Sequence, residues 1–165
     1  MQTETVTLTI DGQQVPAPAE STVLEAARAA GIYIPTLCQH DSLKSEGRCR
    51  LCLVEIGGFR GYPTACTTRV ANGMEVTTDT PEIEKLRQIT LELLIAEHPT
   101  DCLSCGSNLS CELQKVAAYL GIESIRFPRS TRELPLDESN PFFIRDRNKC
   151  ILCGRCVQTN QDLQG

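Results

Sequence analysis

An α+β chain assembled from small modules is predicted from three observations. Polar and apolar residues alternate over residues 5–10 ahead of the turn pair Asp11-Gly12, the signature of a hairpin. Helical periodicity is concentrated in separate later stretches rather than interleaved strand by strand. Eleven potential metal ligands, the ten cysteines and His98, fall at spacings that divide them into a four, a four and a three. At 165 residues the chain has room for one ordinary domain or two to three small ones, each leaning on something besides a large apolar core. Metal cross-links are a natural supplement.

In order, TVTLTI and Gln13-Gln14-Val15 form the opening hairpin. Thr22-x-x-Glu25 is a capping-box pattern ahead of Val23, Leu24, Ala26, Ala27 and Ala30, and Gly31 takes a C-cap position, so a helix is expected over about 22–30. Residues 35–50 read as a ligand-bearing loop. Residues 51–56, 62–66 and 74–77 read as short strands, the last preceded by Asn72-Gly73. Hairpin, helix and short strands together suggest a β-grasp module. Thr80-Pro81 then starts the longest helix, roughly 81–97, with Ile83, Leu86, Ile89, Leu93 and Leu94 near helical period and Pro99 as its stop. Cys111 opens another helix through Leu113, Val116, Ala117 and Leu120 to Gly121. Three prolines and many charges over 126–141 indicate a linker or extended crossing.

Composition narrows the function. Aromatics are 4% and tryptophan is absent, so the core is expected to be aliphatic. The formal charge of −5 and scattered Lys and Arg offer no surface for nucleic acid. No basic-then-apolar leader opens the chain and no apolar run approaches membrane-spanning length, so a reducing, cytoplasmic setting without direct membrane insertion is expected. Neither G-x-G-x-x-G nor G-x4-G-K-[ST] occurs, which leaves nucleotide binding in this chain without sequence support. No nucleophile–base pairing stands out, and no catalytic residue is assigned.

The first ligand group is Cys38-x10-Cys49-x2-Cys52-x13-Cys66. A [2Fe-2S] cluster requires two thiolates per iron on backbone that wraps closely, and Gly47 suits that approach. A four-cysteine zinc site, or disulfides and free core cysteines, are the competing readings; structural zinc more often uses two CxxC knuckles, and this group has one. The second group, His98-x3-Cys102-x2-Cys105-x5-Cys111, suits a [4Fe-4S] cube held by one imidazole and three thiolates, with a zinc site of the same ligands as competitor. Replacing one thiolate by neutral imidazole raises the expected reduction potential. His40 is read as a bystander. The third group, Cys150-x2-Cys153-x2-Cys156, begins a ferredoxin-like [4Fe-4S] motif, but Asn160 stands where the usual next cysteine falls. Its fourth ligand is expected outside this sequence, in a longer natural chain; a partner's ligand or a [3Fe-4S] site, and an unoccupied remnant, are the alternatives. Arg145, Arg147, Lys149 and Arg155 crowd this group and would moderate its charge or form a solvated basic face.

The strings around these ligands carry a resemblance. Ile34-Pro35-Thr36-Leu37-Cys38, Cys49-Arg50-Leu51-Cys52-Leu53-Val54-Glu55, Ala65-Cys66-Thr67 and the whole His98–Gln114 segment, including Cys111-Glu112-Leu113-Gln114, resemble the N-terminal iron–sulfur region shared by three kinds of chain. These are the large NADH-module subunit of respiratory complex I, the diaphorase iron–sulfur subunit of NAD-linked hydrogenases, and NAD-linked formate dehydrogenases. The resemblance implies a β-grasp [2Fe-2S] ferredoxin domain over 1–78, a small helical [4Fe-4S] domain with one histidine and three cysteine ligands over 79–125, and a linker with an incomplete [4Fe-4S] ferredoxin-like domain over 126–165. It also implies a non-catalytic electron-transfer component, fed by a flavin-containing NAD(P)H-oxidising subunit and coupled to a hydrogenase, formate dehydrogenase or quinone-linked subunit. Cys111-Glu112-Leu113-Gln114 and Tyr119-Leu120-Gly121-Ile122 look more like the soluble enzymes than like complex I. A zinc-stabilised interaction module is the reading from outside this class.

Overall fold

A computed structural model of the protein describes residues 4–165. It divides into two compact units, one running up to Arg87 and including residues 154–165, the other covering residues 88–153. The division falls inside one helix.

In the first unit, β1 (Thr5–Ile10) and β2 (Gln13–Pro18) form the expected hairpin in register Leu8↔Val15. Asp11, at φ 49°, and Gly12, at φ 81°, supply the left-handed pair that a two-residue hairpin turn requires. β2 runs on to Pro18, past the expected end at Val15. It lies at the sheet edge, where proline removes no ladder bond. Alternation puts Leu8, Ile10, Val15 and Ala17 on the buried face. Helix α1 (Val23–Ala29) begins with the predicted capping box: Glu25 N–H donates to Thr22 Oγ1 at 3.3 Å, and Thr22 N–H donates to Glu25 Oε2 at 2.7 Å. It crosses to return the chain to the sheet, whose remaining strands are β3 (Glu55–Ile56) and β4 (Glu75–Thr77). The order is β2-β1-β4-β3, with β1 and β4 parallel at the centre and both outer pairings antiparallel.

The expected strands at 51–56 and 62–66 are largely absent as ladders. Only Glu55–Ile56 pairs regularly, and a single Leu53↔Thr64 bridge joins the rest. The polar backbone there is nonetheless satisfied: Cys52 O accepts from Ala65 N at 2.7 Å and Pro63 O from Val54 N at 3.0 Å. The buried core is aliphatic, as composition required; among the described residues no aromatic side chain belongs to it.

Helix α2 (Pro81–Ala96) starts where Thr80 Oγ1 accepts from Ile83 N–H at 3.2 Å. Its buried stripe differs from the apolar pattern in the sequence. Ile83, Arg87, Leu91, Glu92 and Ala96 are buried, whereas Leu93 is exposed. Two charged residues lie on the buried face because each has partners. Arg87 donates to the carbonyls of Leu51, Leu53 and Thr78 in the first unit, and Glu92 accepts Arg126 Nε at 2.8 Å in the second.

In the second unit the C-terminal part of α2 and helix α3 (Glu112–Tyr119) carry the buried residues Leu91, Ala96, Leu113 and Val116, with Leu120 just after α3. Gln88 Nε2 donates to Leu120 O at 3.1 Å. Residues 126–146 hold neither helix nor strand. They are fastened by mutual Asp137–Arg145 backbone bonds of 3.0 and 2.9 Å and by Asn148, whose side-chain amide bonds both backbone groups of Leu134. Helix α4 (Arg155–Gln158), in the first unit, follows Gly154 at φ 77°.

Asp11 closes the first unit by joining the hairpin turn to the end of β4: its carboxylate accepts from Thr78 N–H at 2.7 Å and from Thr78 Oγ1 at 2.6 Å. Asp11→Ala is expected to cost about 2 kcal/mol, the scale of hydrogen bonds to a charged group, and Asp11→Asn to recover part of that loss. Chemical denaturation followed by circular dichroism measures both; equal stability of all three chains would refute the contribution.

Candidate metal centres

The first ligand group converges within the first unit. Ile34 and Leu37 are buried and anchor the approach to Cys38, after which residues 38–54 carry no helix or strand. Cys66 is held by a tight turn in which Thr67 N and Thr68 N both donate to Thr64 O. The N-terminus of α1 meets that turn, with Leu24 N bonding Ala65 O at 3.0 Å and Val23 N bonding Thr68 O at 2.8 Å. The Leu53↔Thr64 bridge and the Ala65–Cys52 bond then bring Cys52 and Cys66 together. Cys38, Cys52 and Cys66 are buried and Cys49 half-buried.

The four sulfurs meet as two hydrogen-bonded pairs, Cys38 with Cys49 and Cys52 with Cys66. Backbone amides converge on them as well. Leu37 N–H donates to Cys49 Sγ and Cys49 N–H to Cys38 Sγ, both at 3.4 Å, while Leu51 N–H reaches Cys49 and Gly47 N–H reaches Cys66. Gly47 has φ 64°, and a side chain there would meet Thr64 Oγ1 at 3.1 Å, so its left-handed backbone lies close against the turn that carries Cys66.

Within each pair one proton is shared unequally. The Cys38 thiol donates to Cys49, whose pKa, aided by the Leu51 and Leu37 amides against the effect of burial, is lowered to about 5. Cys38 is driven up by the same bond and by burial. Cys66 is lowered chiefly by its bond from Cys52, and Cys52 is raised by that bond and by burial.

The second group lies in the second unit. Cys102–Ser104 form a 3-10 turn whose amides fold back: Ser104 N bonds Asp101 O at 3.0 Å and Cys105 N bonds Cys102 O at 3.2 Å. Cys111 is the N-cap of α3. His98 lies two residues beyond the end of α2, and its Nδ1 is 2.7 Å from Pro99 O. Since only an N–H can bond a carbonyl, Nδ1 is the donor there and Nε2 is the ring nitrogen left to face a metal. His98, Cys102, Cys105 and Cys111 all line one cavity of about 160 Å³, walled by Ile95, Leu113 and Ala117. A single water needs only roughly 10–15 Å³ of such space, so a lone ion would leave most of it empty. Paired sulfurs and a roomy thiol-lined cavity fit multi-iron clusters better than a mononuclear zinc site.

Three features of the ligand stretches are not legible in the sequence. Gln114 staples the ligand loop, its Oε1 accepting from Leu109 N at 3.3 Å and its Nε2 donating to Asn108 Oδ1 at 3.0 Å; its signal was its place three residues after Cys111. Lys149, grouped in sequence with the third set, reaches Asp101 Oδ2 at 3.0 Å beside Cys102 and lowers that carboxyl's pKa. Arg50, Leu109 and Leu152, at φ 55°, 67° and 55°, are left-handed non-glycine residues within the three ligand stretches. Such strain gathers at functional sites.

The third group is differently placed. Cys150 and Cys156 are exposed and Cys153 half-buried; Cys150 and Cys153 belong to the second unit and Cys156 to the first. Around Cys156 the chain is fixed to the first ligand loop: Arg155 Nη2 bonds Gln39 O at 2.9 Å, the buried Gln158 bonds Lys44 O at 2.7 Å, and Gly154 abuts the Arg48 side chain. Arg145 is paired with Asp137. His40, the bystander, accepts Ser42 N–H at Nδ1.

Two family models match the chain: a 2Fe-2S iron-sulfur cluster binding domain over residues 3–81, and the NADH-ubiquinone oxidoreductase-G iron-sulfur binding region over residues 87–126. The chain is 37% identical over 160 residues to the NADPH-Fe(3+) oxidoreductase subunit alpha of Geobacter sulfurreducens, and 41% identical over 162 residues to a NADH-quinone oxidoreductase subunit of Rhizobium meliloti. Each alignment takes in 97% of this chain and 19% of the relative, so the chain spans about a fifth of their length. A solved chain of NAD+-reducing [NiFe]-hydrogenase in the H2-reduced state superposes with a TM-score of 0.90 at 35% identity, covering 96% of this chain and 67% of that one.

The proton sharing predicts how the metal-free protein responds to pH. Unfolded thiols titrate near about 8.5. With Cys49 lowered to about 5 and Cys66 lowered too, the native state binds fewer protons than the unfolded state between about pH 5 and 8.5, so stability rises with pH across that window. Above it the raised Cys38 and Cys52 reverse the sign, because the unfolded chain then loses protons that the native state keeps. Urea midpoints of reduced, metal-free protein should therefore peak near about pH 8–9. A profile that is flat, or that falls from about pH 6 upward, would refute the pairing.

Proposed function

Because this chain belongs to the iron–sulfur family whose N-terminal region is shared by subunits of NADH-quinone oxidoreductase and of NAD+-reducing [NiFe]-hydrogenase, we propose that it is an electron relay. Cys38, Cys49, Cys52 and Cys66 hold a [2Fe-2S] cluster, and His98, Cys102, Cys105 and Cys111 hold a [4Fe-4S] cluster. Cys150, Cys153 and Cys156 supply three ligands of a second [4Fe-4S] cluster, completed by a ligand from outside these residues. When bound, the clusters supply one-electron carriers. The carrying observation is the arrangement of the first four cysteines as two sulfur pairs, with Cys49 alone of the four half-buried, two ligands for each of two irons.

The chain's own residues perform the remaining tasks. Backbone amides aimed at the sulfurs stabilise negative charge there. Aliphatic packing excludes water around Cys52 and Cys66, and the Nδ1–H bond from His98 to Pro99 fixes the imidazole's ligating nitrogen. The ten cysteines are free thiols in the structure, in keeping with work in a reducing compartment such as the cytoplasm. No helix among the described residues is long and apolar enough to cross a membrane.

As partners, the relay takes electrons from, or returns them to, a flavin-bearing subunit that exchanges hydride with NAD(P)H. It passes them to a second redox site in an NAD-linked hydrogenase or formate dehydrogenase assembly. The 0.90 superposition over two thirds of a hydrogenase chain favours the hydrogenase form. The complex I form is the second reading, favoured by the 41% identity to a quinone oxidoreductase subunit.

Protein purified without chelator should be brown, bleach on dithionite and contain iron and acid-labile sulfide rather than zinc. A colourless chain with stoichiometric zinc would end the relay reading. His98→Cys should lower the potential of the second centre, because a thiolate adds a negative charge that imidazole lacks; an EPR-monitored redox titration finding the same potential would remove His98 from the ligand set.

A further inference from the structure

Arg87 is the most deeply buried charged residue of the first unit, with 2% of its surface exposed. Its Nε donates to Leu51 O at 3.0 Å, and its Nη2 to Leu53 O at 2.8 Å and Thr78 O at 2.9 Å. Leu51 and Leu53 bracket Cys52, which is fully buried and paired with Cys66. The fork of one guanidinium therefore grips the backbone on both sides of a candidate ligand, and ties it to the residue that follows β4.

A guanidinium remains protonated at every working pH. Excluding it from water is unfavourable, and the fold accepts that cost at the backbone flanking Cys52. A site of four thiolates is anionic and gains further negative charge on reduction, so a fixed cation nearby favours the reduced form. At an effective dielectric of about 20, a unit charge at a separation on the order of 10 Å shifts a one-electron equilibrium by about tenfold. Salt screens it little, because it is buried.

We propose that Arg87 is a positioning and charge-tuning residue of the first centre: it fixes the backbone around Cys52 and raises the reduction potential of the cluster bound there. This rests on the reading that Cys38, Cys49, Cys52 and Cys66 hold a [2Fe-2S] cluster.

The test uses the full chain with its clusters and compares Arg87→Gln, which keeps hydrogen-bonding capacity without charge, with Arg87→Lys, which keeps charge without the fork. Each centre's midpoint potential is read by EPR-monitored redox titration, the second centre serving as internal reference. Arg87→Gln should move the first centre's equilibrium about tenfold toward the oxidised form, about 59 mV for one electron, and Arg87→Lys by less than half of that, with the second centre unmoved. An Arg87→Gln chain with an intact first-centre signal and native potential overturns the proposal, as do equal shifts in the two variants. If Arg87→Gln fails to load, Arg87→Lys decides: a near-native potential supports charge tuning, and a fall of about tenfold overturns it. A native chain with no reducible two-iron signal would instead defeat the cluster reading, whatever Arg87 does.

Discussion

Buried backbone without a ladder is the constraint on which the first unit is organised. Leu37, Cys38, Leu51, Cys52, Leu53 and Val54 are all buried, yet no strand or helix runs through residues 36–54 to satisfy their amides and carbonyls. Each orphaned group in such a place costs on the order of 1–3 kcal/mol. The partners come from three sources: sulfur accepts from Leu37, Cys49 and Leu51 amides, Arg87 donates to the Leu51 and Leu53 carbonyls, and the Cys66 turn pairs with Cys52 and Val54. The ligands are thus part of the polar accounting of the fold as well as of its chemistry. The sheet is small because the segment that would have widened it is bound to these partners instead.

The elements legible in the sequence were those fixed by short-range physics. The Asp11-Gly12 turn, the Thr22/Glu25 box and the Thr80-Pro81 start each depend on residues within a few positions, and each forms as expected. The apolar runs at 51–56 and 62–66 looked like strands because hydrophobicity and β-branching report burial without reporting a partner. At Leu51 and Leu53 the carbonyls are taken by Arg87 rather than by a neighbouring strand, and Arg87 is more than thirty residues away. The stripe of α2 was misleading for the same reason. Ile83, Arg87 and Leu91 stand four residues apart, and that spacing was the available signal, but a charged residue in the middle position reads as solvent-facing unless its distant acceptors are known.

The candidate sites divide along similar lines. Spacing alone grouped the first four cysteines and the His98 set, because ligands on one short loop or flanking one helix start are bound to be near each other in space. Spacing could not give the pairing of Cys38 with Cys49, which follows from the reciprocal Leu37 and Cys49 amide bonds, or of Cys52 with Cys66, which follows from the Leu53↔Thr64 bridge and the Ala65–Cys52 bond. Nor could it give Gln114 or Lys149, polar residues whose partners lie on other loops.

The two complete sites also meet the charge problem in different ways. Four thiolates in a mostly aliphatic setting need compensation, and the first unit supplies it with oriented amides and with the proton each pair retains before metal binds. The second site carries one fewer sulfur, and its neutral imidazole is held in the ligating tautomer by a single carbonyl. Beside it, Lys149 is compensated by two carboxylates, Asp101 at 3.0 Å and Asp146 at 3.9 Å. The two sites thus differ in ligand chemistry, four cysteines against three and an imidazole, and in the charge held nearby: a helix outside the first ligand loop places Arg87 against the backbone on both sides of Cys52. A buried cation such as Arg87 changes the energy of an electron without touching the metal, so ligand set and potential are separable variables in such a site.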